Sequence, residues 1–159
     1  MKYLISFLFL ALAFSMKSEA KVTLPSILGD NMVLQQQAEV KLWGKARPNA
    51  TVTVKTSWNG QTYKFSSDGK GGWSLTVSTP VAGGPYKIIF NDGELLTLQN
   101  VLIGEVWFCS GQSNMEMPMG CFDRQPVRGA NDIIAKAKPS TPIRMYTTDS
   151  KDGRWVRQL

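Results

Sequence analysis

The segment Gly104–Met119, GEVWFCSGQSNMEMPM, contains the residues of this chain that are best suited to chemistry. It begins as an apolar run and continues into a small polar turn with two serines, Ser110 and Ser113. A serine hydroxyl can attack a carbonyl carbon when a neighbouring base accepts its proton, and backbone N–H groups can stabilise the oxyanion that forms. Ser113 follows Gly111, which permits a sharp turn. By residue type alone, such a serine is more often a turn former or helix N-cap than a nucleophile.

The groups that would activate a serine are missing from the sequence. No histidine occurs among the 159 residues. Glu105 and Glu116 flank the turn, but a nucleophile needs a base within hydrogen-bond reach, and the sequence does not place either carboxylate there. GQSNM is not a complete G-x-S-x-G elbow, because Met115 replaces the second glycine, which argues against an ordinary α/β-hydrolase. Met115, Met117 and Met119 are expected to pack rather than to bind a metal, since thioethers without His or Cys company favour few metals.

Two cysteines, Cys109 and Cys121, lie on either side of this turn. In an oxidising compartment they could form a disulfide. The alternative is that Cys109, at the end of an apolar run, is a buried small hydrophobic residue. Sequence position does not establish disulfide geometry, so the buried thiol is the preferred interpretation and the pairing stays open.

The first twenty residues, MKYLISFLFLALAFSMKSEA, have the pattern of a secretory signal peptide with cleavage after Ala20. The apolar run from Tyr3 to Phe14 is shorter than the roughly 20 residues that a membrane span needs, so no stable membrane insertion is expected after cleavage. The sequence therefore predicts a secreted or periplasmic protein. The formal net charge is +6, but the basic residues are scattered, which disfavours a nucleic-acid partner.

Residues 21–100 are predicted to form an all-β domain of immunoglobulin-like sandwich type, because short strands alternate with turn residues. In TVTVKTSW, Val52 and Val54 are predicted to face one way and the residues between them the other. Asn59-Gly60 indicates a two-residue hairpin. The predicted strands are Met32–Gln35, Val40–Trp43, Thr51–Ser57, Thr62–Phe65, Trp73–Ser78, Tyr86–Phe90 and Leu95–Leu98. The predicted large core residues are Trp43, Trp73, Tyr86 and Phe90.

The pattern changes after Asn100. VLIGEVWFC, residues 101–109, is typical of a strand covered on both faces in a parallel sheet. NDIIAKAKP predicts a helix with Asn131 or Asp132 as its N-cap, and TPIRMYT predicts a further strand. Strand, helix and strand make a βαβ unit, so residues 101–159 are predicted to be the start of an α/β domain that is incomplete at Leu159.

The string LIGEVWFCSGQSNMEMPM, residues 102–119, resembles the first motif of the SGNH (GDSL-like) hydrolases, and the sialate O-acetylesterase family in particular. Upstream strings are similar to the N-terminal β-domain of that family: LPSILGDNMVLQQ, VKLWGKARPNATVTV, GGWSLTV and AGGPYKIIF. The resemblance covers nearly all of the chain after the signal peptide. After the signal peptide at 1–20, it implies a β-sandwich domain at 21–100 and the N-terminal portion of an SGNH hydrolase domain at 101–159.

The resemblance further implies that Ser113 is the nucleophile and that its backbone N–H contributes to the oxyanion hole. Family members take the other oxyanion donors from a glycine and an asparagine in later motifs, and the base from a late Asp-x-x-His motif; neither can be located here. The implied activity is removal of O-acetyl groups from sialic acids or related sugars, with no metal or organic cofactor. Without an imidazole, the 159-residue fragment alone is expected to be inactive. No residue is assigned to substrate binding.

Two alternatives remain open. The first is a non-catalytic carbohydrate-binding or structural β-sandwich module, in which exposed aromatic residues such as Trp58 and Tyr63 bind glycan and the serine turn is a linker. The second keeps the esterase chemistry but changes the substrate to acetylated plant polysaccharide. The sequence does not determine the acetylated sugar or the oligomeric state.

Overall fold

The computed structural model describes residues 22–115, 117–121, 126–138, 142–148 and 155–157. The predicted signal peptide and Glu116 lie outside these residues. The elements are β1 (Val33–Gln35), β2 (Glu39–Lys45), β3 (Thr51–Thr56), β4 (Thr62–Ser66), β5 (Gly72–Ser78), β6 (Gly83–Asn91), β7 (Leu95–Gly104), a 3₁₀ turn (Ser113–Met115), α1 (Ala130–Lys136), β8 (Arg144–Tyr146) and β9 (Trp155–Arg157). The part of the chain that is described contains no helix long and apolar enough to span a membrane.

Strands β1 to β7 form two sheets. The larger sheet has the order β1-β7-β6-β3-β4, and β2 pairs with β5 in the smaller one. β1 runs parallel to β7, and the remaining pairs in these sheets are antiparallel. The prediction of an all-β region is therefore confirmed, and each of its seven predicted strands is found. The largest differences in their limits are that β6 begins at Gly83 rather than Tyr86 and β7 ends at Gly104 rather than Leu98.

One hydrophobic core holds the two sheets together. Val52 and Val54 of β3 are fully buried, as their alternation predicts. Trp73 of β5 reaches the larger sheet, where its ring lies 5.1 Å from that of Phe65 and 5.7 Å from that of Phe90, centroid to centroid. Full burial of a side chain such as Phe90 contributes about 1.5–3 kcal/mol relative to leaving it exposed.

The prediction that Trp43 belongs to this core is wrong, because 42% of its surface is exposed. Its neighbour Leu42 is fully buried, so Leu42 occupies the inward position of β2 and the strand period turns Trp43 outward. Tyr86 is half-buried and packs against the edge of the core.

The β3–β4 hairpin has a longer loop than the predicted two-residue turn. The N–H of Thr56 donates to the carbonyl of Gln61 at 3.1 Å, which leaves residues 57–60 as the loop. The side-chain oxygen of Asn59 accepts hydrogen bonds from the Thr56 hydroxyl at 2.6 Å and from the Gln61 N–H at 3.0 Å. Gly60 supplies the left-handed φ of 67° that the loop requires. Asn59 thus organises the loop through its side chain.

The strand predicted for residues 101–109 is only half right. Val101 and Ile103 are buried and continue the inward face of β7, which runs without interruption from Leu95 to Gly104. Beyond Gly104 the chain leaves the sheet, because β1, the neighbour on that side, ends opposite it at Gln35. The predicted strand covered on both faces is therefore wrong for residues 105–109. The division into domains stays a prediction.

Helix α1 lies where the sequence predicts a helix, but its N-cap is neither Asn131 nor Asp132. Gly129 occupies the cap with a φ of 76° and provides no side-chain hydrogen bond. The predicted strand after the helix is β8, and its partner is β9 in an antiparallel pair. Among the residues that the structure describes, the sheets contain no parallel pair between β8 and β7, so the predicted βαβ unit is not found there.

Candidate active site

Ser113 is exposed at the start of the 3₁₀ turn, which follows β7 after an irregular segment. The turn is closed by the N–H of Met115, which donates to the carbonyl of Gln112 at 2.9 Å. Gly111 packs under the Met115 side chain: a Cβ at residue 111 would lie 3.0 Å from Met115 Cγ. The local geometry therefore presents the Ser113 side chain to solvent on a compact turn, where a substrate can reach it.

Ser110 is exposed as well, but it lies in the irregular segment before the turn. The two serines thus differ in backbone setting rather than in access to solvent. This difference makes Ser110 a matched control for any test of Ser113.

Glu105, one of the two carboxylates beside the turn, accepts hydrogen bonds from the last residue of β1 and from the residue after it. The side-chain amide of Gln36 donates to one carboxylate oxygen at 2.6 Å, and that of Gln35 donates to the other at 3.1 Å. These hydrogen bonds, first that from Gln36 and then that from Gln35, hold the pKa of the Glu105 carboxyl below its ordinary value. A general base works best with a pKa near the working pH, so Glu105 is poorly suited to activate Ser113.

The segment between β7 and the turn exposes large apolar side chains. Trp107 and Phe108 are 83% and 90% exposed. Cys109 is also exposed, so the prediction that it is buried is wrong, for the same reason that the strand prediction fails: the sheet ends at Gly104. Cys109 and Cys121 are both free thiols in the structure.

The methionines after the serine are less buried than expected. Met115 and Met119 are 57% and 39% exposed, so the prediction that they are packed is not met, whereas Met117 is half-buried. A depression in the surface lies between residues 119–121 and the first turn of α1. The part of its lining that the structure describes does not include Ser113, and we do not assign it to substrate.

The aromatic residues nominated for a glycan-binding module are partly buried rather than exposed. Trp58 and Tyr63 are half-buried and pack against the core. The Trp58 indole donates to the carbonyl of Ser78 at 3.1 Å and its ring meets Tyr86 edge-on at 5.8 Å. The Tyr63 hydroxyl donates to the Gln61 side chain at 2.8 Å. The expectation that these two side chains are exposed is therefore wrong.

Sequence reasoning missed the glutamines Gln35 and Gln36. Their only sequence signal is their place in the string LPSILGDNMVLQQ, which is among those that carry the family resemblance. Nothing in that string indicates a contact with Glu105, which lies 70 residues from Gln35.

The fold is similar to that of a carbohydrate acetylesterase. The crystal structure of a carbohydrate acetylesterase from Xanthomonas citri superposes with a TM-score of 0.69 and 28% sequence identity, covering 86% of this chain and 32% of that one.

Among curated proteins, the sialate O-acetylesterases of Homo sapiens and Pongo abelii are each 34% identical over 105 residues, which is 58% of this chain and 20% of the relative. The sialate O-acetylesterase of Mus musculus is 34% identical over 102 residues. The chain thus spans about a fifth of the length of these relatives. No protein-family model matches. The resemblance to the sialate O-acetylesterase family is confirmed over the part of the chain that these matches cover.

Proposed function

We propose that the protein is a secreted carbohydrate O-acetylesterase that removes acetyl groups from sialic acid or a related sugar, with Ser113 as its nucleophile. The observation that carries the proposal is the exposed position of Ser113 on a compact turn within the motif that resembles this family. The names of the relatives support an O-acetylated carbohydrate as the substrate class.

The proposed reaction is acyl transfer in two steps. Ser113 Oγ attacks the acetyl carbon while a base takes its proton, and the bond between the acetyl carbon and the sugar oxygen breaks, so that the sugar leaves as an alcohol. Water then attacks the acetyl-serine, releases acetate and restores the hydroxyl. The backbone N–H of Ser113 is proposed to donate to the oxyanion in both steps.

The base is the missing part of this mechanism within residues 1–159. The sequence contains no histidine, and Glu105 is engaged by two glutamines. A serine hydroxyl is a poor nucleophile at neutral pH without an adjacent base. We therefore propose that residues 1–159 alone have negligible turnover and that the base comes from outside them.

The test is acetate release from O-acetylated N-acetylneuraminic acid by the full-length product of the reading frame that encodes residues 1–159. Ser113→Ala is expected to lower kcat by at least about a thousandfold, because the nucleophile is lost. Ser110→Ala, the matched control, is expected to retain the rate. Equal rates for the wild type and Ser113→Ala would refute the assignment. Running acetylated xylan beside the sialic acid ester decides between the two sugar classes.

We also infer that β1 to β7 form an immunoglobulin-like sandwich and that the residues from 101 onward begin an SGNH domain. The strand order supports the first inference. When β1 to β7 are matched to strands A, B, C, C′, E, F and G, B and E share one sheet, while C, F and G lie together in the other with C′ beside C. The motif around Ser113 supports the second.

Secretion is proposed from the leader-like pattern of residues 1–20. N-terminal sequencing of the protein recovered outside the cytoplasm of its host tests it. A mature chain that starts at Lys21 supports the proposal. An intact Met1 in the exported protein contradicts cleavage after Ala20, and recovery of the protein only from the cytoplasm contradicts secretion.

A further inference from the structure

Three separate segments meet where the chain leaves β7. β1 lies parallel to β7, with Gln35 opposite Gly104. The backbone N–H of Gln36 donates to the carbonyl of Gly104 at 2.8 Å, which carries the ladder one residue further. The third segment is the β5–β6 connection, where the N–H of Ala82 points at the Gln36 side chain. The C-terminal end of β7 thus lies beside β1, and the β5–β6 connection is joined to the same place through Gln36.

Each of the two glutamine side chains uses both ends of its amide. Gln35 donates through Nε2 to Glu105 at 3.1 Å and accepts the Val106 N–H at 2.9 Å through Oε1. Gln36 donates to Glu105 at 2.6 Å and accepts the Ala82 N–H at 2.8 Å. Hydrogen bonds to an ionised carboxylate are stronger than neutral ones. Two amides and one carboxylate therefore join the three segments.

The backbone around the two glutamines is held in place by Thr79. Thr79, which is 7% exposed, donates through its hydroxyl to the carbonyl of Gln35 at 2.7 Å. The same hydroxyl oxygen accepts the N–H of Ala38 at 3.1 Å, and the N–H of Thr79 donates to the carbonyl of Ala38 at 3.0 Å. The backbone of Gln35 is thus held to the β5–β6 connection as well as to β7, and its displacement would break these partly buried hydrogen bonds.

We propose that Gln35, Gln36 and Glu105 form a clamp that fixes the direction in which the chain leaves β7 toward Ser113, and that they act as positioning residues for acyl transfer. The catalytic part of this inference rests on the proposed function. Residues 107–110, which follow the clamp, are exposed and outside any strand. The positioning role therefore requires that the direction set at Val106 persists through residues 107–112 into the turn, and exchange of the Met115 N–H measures whether it does.

The position of Glu105 argues for an orienting role rather than a stabilising one. Its carboxylate is exposed, and exposed charged groups contribute little to global stability. Placement of a nucleophile is far more sensitive, since a small displacement of a catalytic group can reduce the rate strongly. Loss of the clamp is expected to alter the turn while leaving the sheets folded.

Amide hydrogen exchange on the full-length product tests the clamp without reference to activity. Gln35→Ala is expected to speed exchange of the Val106 N–H about fivefold to tenfold, and Gln36→Ala to do the same for Ala82, because each amide loses its acceptor. Both variants are expected to speed exchange of the Met115 N–H in the turn.

Gln99 is an exposed glutamine on β7 and serves as the matched control. Gln99→Ala is expected to leave these three amides unchanged, and the amides of the β2–β5 pair are expected to be unaffected in every variant. Unchanged exchange at Met115 in the Gln35→Ala, Gln36→Ala double variant overturns the inference, whether or not the protein is an esterase.

Kinetics test the catalytic part. On an O-acetylated sugar, the double variant is expected to lower kcat about tenfold with little change in KM, because the nucleophile is misplaced while substrate binding persists. Unchanged kcat overturns the positioning role. If Ser113→Ala retains full turnover, the proposed function fails and the catalytic role of the clamp fails with it. Faster exchange at Met115 still supports its structural role.

Discussion

The guanidinium of Arg144, in β8, donates to both the backbone carbonyl and the side-chain oxygen of Asn100, in β7, the latter at 3.0 Å. Asn100 adopts a left-handed φ of 56° and its side-chain amide donates to Asn31 at 2.7 Å. Beside this contact, the Trp155 indole donates to the carbonyl of Ile27 at 2.8 Å. The β8–β9 hairpin is therefore attached to the larger sheet near the middle of β7, at Asn100.

Arg144→Lys is expected to loosen this attachment nearly as much as Arg144→Ala, because a lysine cannot reproduce the forked contact of a guanidinium with both oxygens. A loss of about 1.5–3 kcal/mol in the free energy of attachment is expected, the range for hydrogen bonds to charged groups. Exchange of amides in β8 and a red shift of Trp155 fluorescence measure it. If Arg144→Lys kept the wild-type amide exchange in β8 and the wild-type Trp155 emission, charge alone would be shown to attach the hairpin.

Among the tryptophans of β1 to β7 and their loops, Trp73 is expected to contribute most to the free energy of unfolding. Trp73→Ala should lower the free energy of unfolding by about 3–5 kcal/mol, since it empties the contact between the sheets. Its buried Nε1 has no hydrogen-bond partner among the described residues, so Trp73→Phe should cost much less. The matched control is Trp43→Ala, on the exposed face of the neighbouring strand. Urea unfolding curves compare the three variants, and an equal loss for Trp43→Ala would contradict the packing.

The pH dependence of the clamp follows from Glu105. Hydrogen bonds from Gln36 and Gln35 lower the pKa of this carboxyl in the folded protein. The folded state therefore binds the proton less tightly than the unfolded state. The stabilisation of the folded state by the hydrogen bonds to Glu105 is complete above the ordinary glutamate pKa. It is lost as the pH falls through the lowered folded pKa.

Titration of the Glu105 carboxyl carbon by NMR checks this expectation. The midpoint should lie below that of the same residue in urea. Gln36→Ala should raise it more than Gln35→Ala, because the Gln36 hydrogen bond is the larger cause. A midpoint unchanged by the double variant would mean that the glutamines do not hold the carboxylate in solution.

Cys109 and Cys121 are expected to react rapidly with a thiol reagent in the folded protein, because both are exposed and free. Titration with Ellman's reagent should therefore give the same thiol count in native buffer as in denaturant. Cys109→Ser and Cys121→Ser each remove one equivalent. A native protein without reactive thiols that gains two on reduction would instead reveal a disulfide between them.

Local sequence was enough to place β1 to β8 approximately, although β9 was not predicted. The alternation of Val52 and Val54 is a property of neighbouring residues, and any sheet that buries one face of β3 must bury both side chains. The same holds for α1, where the pattern of the helix is local. Its N-cap was misjudged because a side-chain cap was expected where Gly129 turns the backbone instead.

The identity of Ser113 as the candidate nucleophile also came from the sequence alone, through the motif around it. Its exposure did not, because burial depends on what lies against the chain. The apolar run 101–109 illustrates the limit: its composition is uniform, yet Ile103 is buried and Phe108 is 90% exposed. The difference is set by where β1 ends, and β1 lies far away along the chain.

The residues of this protein therefore determined by themselves the positions of β1 to β8, its helix and the serine with its surrounding motif, because these depend on short-range periodicity and spacing. Only the tertiary structure decided where β7 ends and which side chains meet there. Gln36 and Glu105 are 69 residues apart, and hydrogen bonds between such distant groups exist only after the sheet has brought β1 and β7 side by side.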